Sequence, residues 1–187
     1  MRLFFALPLP EALGSALGEW QEEAKGRELA AAFPRPDGLH LTLVFLGKVD
    51  AGRLPALSSV GEAAASGRGP FNLRTANLGC FPAHGSARVL WLGLEPSTAL
   101  GELQRTLAEA LRPLGFPPEP RPFSPHLTLA RPKGPGGRSL WPDAPPCCSW
   151  TALELRLYES LPSSAGQRYE PRAAWSFRPL SESPPLR

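Results

Sequence analysis

The tetrapeptide His-Leu-Thr-Leu occurs twice in this chain, at residues 40–43 and 126–129, and the two copies hold two of its three histidines. A segment with helical spacing precedes each copy, so the order helix, then HLTL strand, is repeated. An identical repeat in similar surroundings indicates an internal duplication rather than a short-period solenoid. The repeat therefore predicts two similar halves, each of which contributes one HLTL strand.

The remaining elements follow from hydrophobic spacing and turn residues. Ser97 is the expected N-cap of a third helix that Gly115 closes. Residues 182–187 are expected to form a frayed tail to a single domain over residues 1–187. We expect strands over residues 2–7, 39–47, 71–81, 87–94, 126–131, 150–160 and 167–177, helices over 10–33, 51–65 and 98–115, a proline-rich linker over 116–125 and a loop over 132–146.

Composition excludes several classes of protein. No apolar run approaches the roughly 20 residues that cross a bilayer, and the apolar residues 1–8 are too few for a signal peptide. Three cysteines, two of them adjacent, cannot form a fully paired disulfide framework. We therefore expect a cytoplasmic protein that is not bound to a membrane. A formal charge of only +3 is compatible with local phosphate contacts, without requiring a long nucleic-acid tract.

Strand alternation gives the two motifs a chemical interpretation. His40 and Thr42 share one face of their strand, as do His126 and Thr128, while the leucines face the core. Two imidazoles with a pKa near 6.5 can act as acid and base at neutral pH, which suits cleavage of a phosphodiester without a metal. The threonine hydroxyls can donate hydrogen bonds to the non-bridging phosphate oxygens.

Two other interpretations of the repeat remain open. The duplication can reflect the ancestry of two halves with no chemistry attached. A zinc site would need a third ligand from Asp37 or another distant carboxylate, because no further His or Cys stands at ligand spacing.

The chain resembles the two-histidine phosphoesterases, and within them the RNA 2′,3′-cyclic phosphodiesterases, also called 2′-5′ RNA ligases. The resemblance runs nearly end to end and rests on paired H-x-T motifs in a fixed order with their flanks. It is carried by RLFFAL at 2–7, GLHLTLVFLGKV at 38–49, ARVLWLGL at 87–94, RPFSPHLTLAR at 121–131, LYES from 157 and GQRY ending at 169.

The resemblance implies an α+β, bilobal fold: two antiparallel sheets with outer helices, related by a pseudo-two-fold duplication, with an active-site groove between the lobes. It implies hydrolysis of an RNA terminal 2′,3′-cyclic phosphate to a 2′-phosphate, with weak, reversible 2′-5′ ligation as a second reaction. His40 is the implied proton donor and His126 the proton acceptor. Thr42 and Thr128 are the implied phosphate contacts, and Arg131 falls where similar enzymes also carry Arg. The resemblance implies no metal or other cofactor, and we expect a monomer.

Two rival functions remain at this stage. The same site can serve a small cyclic phosphate, such as a nucleoside 2′,3′-cyclic monophosphate or a cyclic ADP-ribose derivative. Alternatively, the protein can be a module that binds phosphorylated RNA ends without turnover. A mononucleotide substrate compared with an oligonucleotide separates the first rival, and product formation separates the second.

Overall fold

A computed structural model of the protein describes residues 1–134, 140–145, 147–163 and 166–178. Within these ranges three helices and nine strands alternate, with short 3₁₀ turns at Pro36–Gly38, Ala51–Arg53 and Arg112–Leu114. The helices are α1 (Glu11–Gly26), α2 (Leu54–Ala65) and α3 (Thr98–Leu111), and the strands are β1 (Arg2–Pro8), β2 (Ala31–Ala32), β3 (His40–Lys48), β4 (Phe71–Phe81), β5 (Val89–Leu94), β6 (His126–Pro132), β7 (Ser149–Ala152), β8 (Glu154–Ser163) and β9 (Gly166–Ser176).

The described strands form one antiparallel path in the order β7-β4-β5-β6-β3-β1-β8-β9, with β2 paired to β6. Strands β5 and β6 enclose α3 in the chain as β1 and β3 enclose α1, so the two halves of the path repeat each other. They meet between β3 and β6, where the register records the single pair Leu41–Leu127. The expected α+β fold with antiparallel strands is confirmed, and the two expected sheets are joined at the HLTL motifs.

The core lies on the leucine side of these strands. Leu41, Leu43, Leu127 and Leu129 are all buried there, together with leucines from all three helices. A second, smaller cluster of Phe4, Ala6 and Tyr158 lies apart from the main core. Fully burying a leucine side chain contributes about 1.5–3 kcal/mol, so this face fixes which way the intervening His and Thr side chains point.

Two predicted boundaries are wrong. Helix α1 ends at Gly26 instead of running to residue 33, because the chain turns at Glu28 with a left-handed φ of 61° and continues into β2. The strand predicted over 150–160 is two strands that part at Leu153, whose side chain is 62% exposed. Helix spacing and strand propensity do not register such changes of chain direction.

The cap predictions for α3 are confirmed. Ser97 accepts a hydrogen bond from the Leu100 amide at 3.3 Å, and Gly115, with φ of 80°, closes the 3₁₀ turn that follows the helix. The expected tail at 182–187 lies outside the described residues. In the described part of the chain, no helix is both long and apolar enough to cross a membrane.

Candidate active site

The two motifs lie side by side where β3 meets β6. The antiparallel register at Leu41–Leu127, extended by one residue each way, sets His40 opposite Thr128 and the second histidine opposite Thr42. The leucines on one face are buried, while the histidine and threonine side chains on the other face are partly exposed. The structure thus brings all four predicted polar side chains to one face at the join of the two halves.

Each histidine ring is oriented by a main-chain carbonyl two residues upstream. The Nδ1 atom of His40 lies 2.8 Å from the Gly38 oxygen, and that of His126 lies 2.8 Å from the Ser124 oxygen. A carbonyl oxygen only accepts hydrogen bonds, so Nδ1 carries the proton in both rings. Nε2 is therefore the nitrogen left for proton transfer, and the same tautomer is set twice by the same local geometry.

His40 is held in its neutral form in the ligand-free protein. Burial lowers its pKa from 6.5 to about 4. The carbonyl of Gly38 opposes this shift, while the positive charges of Arg131 and His126 add to it. Both cationic groups are thus close enough to influence the His40 ring, as a shared phosphate site requires.

Aromatic rings pack against both imidazoles from opposite ends of the site. Phe4 and Tyr169 contact His40, each with ring centroids 4.7 Å apart, and Tyr169 meets the imidazole edge-on at 78°. Phe81 meets His126 edge-on as well, at 5.2 Å and 83°. These contacts restrict ring rotation, so each imidazole is positioned before substrate arrives.

Arg131 reaches the same face through a β-bulge. Thr128 pairs with Trp91, but two residues later Ala130 pairs with Leu90, so β6 holds one extra residue. Simple alternation from Thr128 would turn Arg131 toward the core, whereas the bulge leaves it exposed. The structure therefore places Arg131 near His40, where its charge acts on that ring.

Sequence reasoning missed Phe45, which occupies the equivalent position in the first half. Strand β3 also shifts register, from Ala6–Thr42 to Phe5–Val44, and the next side chain, Phe45, is 49% exposed. Extending the repeat by two residues aligns HLTLVF with HLTLAR and sets Phe45 beside Arg131. That alignment was the available signal. The duplicated position thus holds an aromatic ring in one half and a guanidinium in the other.

A cavity of about 690 Å³ opens beside Thr42 and His126. Its size lies within the range of about 300–1,000 Å³ typical of small-ligand sites. The lining comes from β3, the β4–β5 hairpin, one face of α3 and the linker that leads to β6; it includes Phe45, Phe81, Arg105, Arg112 and Phe123.

The residues named for a zinc site are engaged elsewhere. The Asp37 carboxylate accepts two hydrogen bonds from Arg35, at 3.0 and 2.8 Å, and this pairing lowers its pKa. In the described ranges, no three His, Cys, Asp or Glu side chains group to hold a metal ion.

Comparison with known proteins places the chain in a family. Residues 9–164 match the model of the 2′-5′ RNA ligase superfamily. The RNA 2′,3′-cyclic phosphodiesterase of Methanothermobacter thermautotrophicus is 36% identical over 138 residues, which is 74% of each protein. A crystal structure of a Thermus thermophilus protein matches with a TM-score of 0.86 and 31% identity over 96% of this chain and 99% of the other. Escherichia coli LigT complexed with 3′-AMP matches with a TM-score of 0.76 and 30% identity, over 94% and 97%. With its paired His-Thr strands in the matched region, the chain belongs to the 2′-5′ RNA ligase superfamily.

Proposed function

We propose that this protein hydrolyses terminal 2′,3′-cyclic phosphates on RNA to 2′-phosphomonoesters. One observation carries the proposal: two imidazoles, each with Nδ1 committed to a carbonyl, lie on one face with a threonine beside each. An in-line displacement at phosphorus needs proton transfer on two opposite sides, and two oriented Nε2 atoms supply it. The relatives named as RNA 2′,3′-cyclic phosphodiesterases support the substrate class.

The proposed step assigns one proton transfer to each histidine. His126 accepts a proton from water as the water oxygen bonds to phosphorus. The bond from phosphorus to the 3′ oxygen breaks, and His40 donates its proton to that oxygen. The products are a 2′-phosphate and a 3′-hydroxyl. Hydrogen bonds from Thr42, Thr128 and Arg131 offset the charge on the non-bridging oxygens, and each such donor is typically worth about 10²–10³ in rate.

The low pKa of His40 sets a condition on its role as donor. With a pKa of about 4, the ring is neutral at pH 7 in the free protein. A bound phosphate places a negative charge beside the ring, and an opposite charge favours the protonated form. We therefore propose that substrate binding itself loads the proton that His40 later donates.

A 5′-hydroxyl in place of water makes the same displacement a ligation. Its oxygen would bond to phosphorus, His126 would accept its proton, and departure of the 3′ oxygen would leave a 2′-5′ linkage. All of these groups come from one chain, and we propose that a monomer is sufficient for both reactions.

The test uses a short oligoribonucleotide ending in a 2′,3′-cyclic phosphate, in excess EDTA, with phosphorus NMR to identify the product. A 2′-phosphate made by the wild type, but not by His40→Ala or His126→Ala, is the expected result. His84→Ala is the matched control, since it removes the exposed third histidine of the chain.

Each contrary outcome has a distinct meaning. Tight binding of the RNA end without product would replace hydrolysis with end recognition. Activity lost in EDTA would mean that the reaction needs a metal ion. Equal activity in all three variants would remove the paired histidines from the mechanism.

A further inference from the structure

The cavity beside Thr42 and His126 continues away from the reacting phosphate as a groove, which we call the α3 groove. Its far part is lined by three aromatic rings and by arginines of the helical wall: Phe45, Phe81, Phe123, Arg105 and Arg112. None of these side chains has a part in the proposed proton transfers. Their role depends on what lies next to the cyclic phosphate, so this inference rests on the proposed function.

The helical wall of the groove carries exposed positive charge. Arg105 lies on α3 and Arg112 directly follows its last residue, about two turns further along the same face, with Glu109 between them. Among the described residues neither guanidinium has an ion pair, whereas Arg121 across the groove lies 3.7 Å from the Glu119 carboxylate. Two unpaired guanidinium groups at this spacing suit an extended polyanion better than a single anion.

Aromatic rings face the same space. Phe45 is 49% exposed and Phe81 is 37% exposed, although both are large apolar side chains on strands. The Phe81 ring also contacts the His126 ring, so it links the groove to the catalytic face. Exposed aromatics beside arginines are the combination that single-stranded nucleic acids use, because bases stack on the rings while cations follow the backbone.

We propose that the α3 groove binds the single-stranded RNA segment immediately 5′ of the cyclic phosphate. Phe45 and Phe81 stack on bases, and Arg105 and Arg112 contact backbone phosphates. A duplex end does not fit this arrangement, because its bases are already stacked on one another. The groove therefore makes the enzyme prefer oligonucleotide ends to mononucleotides.

The test compares kcat/KM for a nucleoside 2′,3′-cyclic monophosphate and for a tetranucleotide ending in the same group. For the wild type we expect the tetranucleotide-to-mononucleotide ratio to exceed about 10, because each stacked base contributes about 1–3 kcal/mol. Phe45→Ala should lower this ratio about tenfold, mainly through KM. Leu153→Ala, which removes an exposed apolar side chain outside the groove, is the matched control.

A double variant, Arg105→Gln with Arg112→Gln, tests the charge. It should lower the same ratio and reduce the salt dependence of log(1/KM) for the tetranucleotide by about 1.4, or about 0.7 for each lost phosphate contact on a single strand. Arg178→Gln, at an exposed arginine outside the groove, should leave the salt dependence unchanged. Circular dichroism melts check that the variants are folded.

The outcomes separate this inference from the proposed function. A wild-type ratio near one, with both substrates hydrolysed, overturns the groove assignment and leaves the phosphodiesterase standing. An unchanged ratio in both the phenylalanine and the arginine variants does the same. No hydrolysis of either substrate by the wild type overturns the proposed function, and the groove assignment with it.

Discussion

The buried state of His40 predicts a measurable dependence of stability on pH. Its pKa is about 4 in the fold and about 6.5 in the unfolded chain. Because the folded pKa is the lower one, the unfolded state binds more protons between these values, so stability is full above about pH 6.5 and falls toward pH 4. The whole shift corresponds to about 3 kcal/mol, of which about 2 kcal/mol is lost between pH 7 and pH 5.

Urea unfolding of the wild type and His40→Gln at pH 7 and pH 5 measures this loss. We expect the wild type to lose about 2 kcal/mol more than the variant between the two pH values. His84→Gln, at an exposed histidine, should behave as the wild type does. If His40→Gln shows the same loss as the wild type, or if NMR titration of the His40 ring gives a pKa near 6.5, the assignment of a buried neutral imidazole is wrong.

Removing a neighbouring charge provides a second check on the same ring. Arg131→Gln takes away one of the positive charges that lower the pKa of His40, so NMR titration should show that pKa rising. Inorganic phosphate added to the wild type should raise it too, because the anion stabilises the imidazolium. A pKa that does not respond to phosphate would contradict the proposal that substrate loads the proton.

Two further predictions concern the scaffold, and urea unfolding measures both. In α2, a Cβ at Gly61 would lie 2.3 Å from the Trp175 ring, so Gly61→Ala should cost about 1–3 kcal/mol. Gly101→Ala in α3 meets nothing within 4 Å and should stabilise by about 0.5–1 kcal/mol, and a loss there would contradict the packing. Buried Thr75 accepts a hydrogen bond from the Cys148 amide at 2.8 Å, so Thr75→Val should cost about 1–3 kcal/mol. Thr75→Ser keeps the hydroxyl and should cost less.

The sequence predicted those parts of the site that depend on local periodicity. Alternation alone sets His40 and Thr42 on one face of a strand with leucines behind them, and the Ser97 cap depends on residues three positions apart. Arg131 was predicted only through the family resemblance, because its face depends on a bulge against β5. Phe45 was missed for the same reason, since bulges arise from pairing between strands distant in sequence.

The duplication explains why the catalytic pair is symmetric and why the groove is not. The HLTL copies give each half one histidine with the same carbonyl partner, which suits the two equivalent proton transfers of an in-line displacement. An RNA end has no such symmetry, because the strand continues from one side of the phosphate only. Past the motifs, β3 continues to Phe45 at the His126 end, while β6 continues to Arg131 at the His40 end. Divergence at this single duplicated position makes one end aromatic and the other cationic, and so gives a symmetric active site a direction in which to bind RNA.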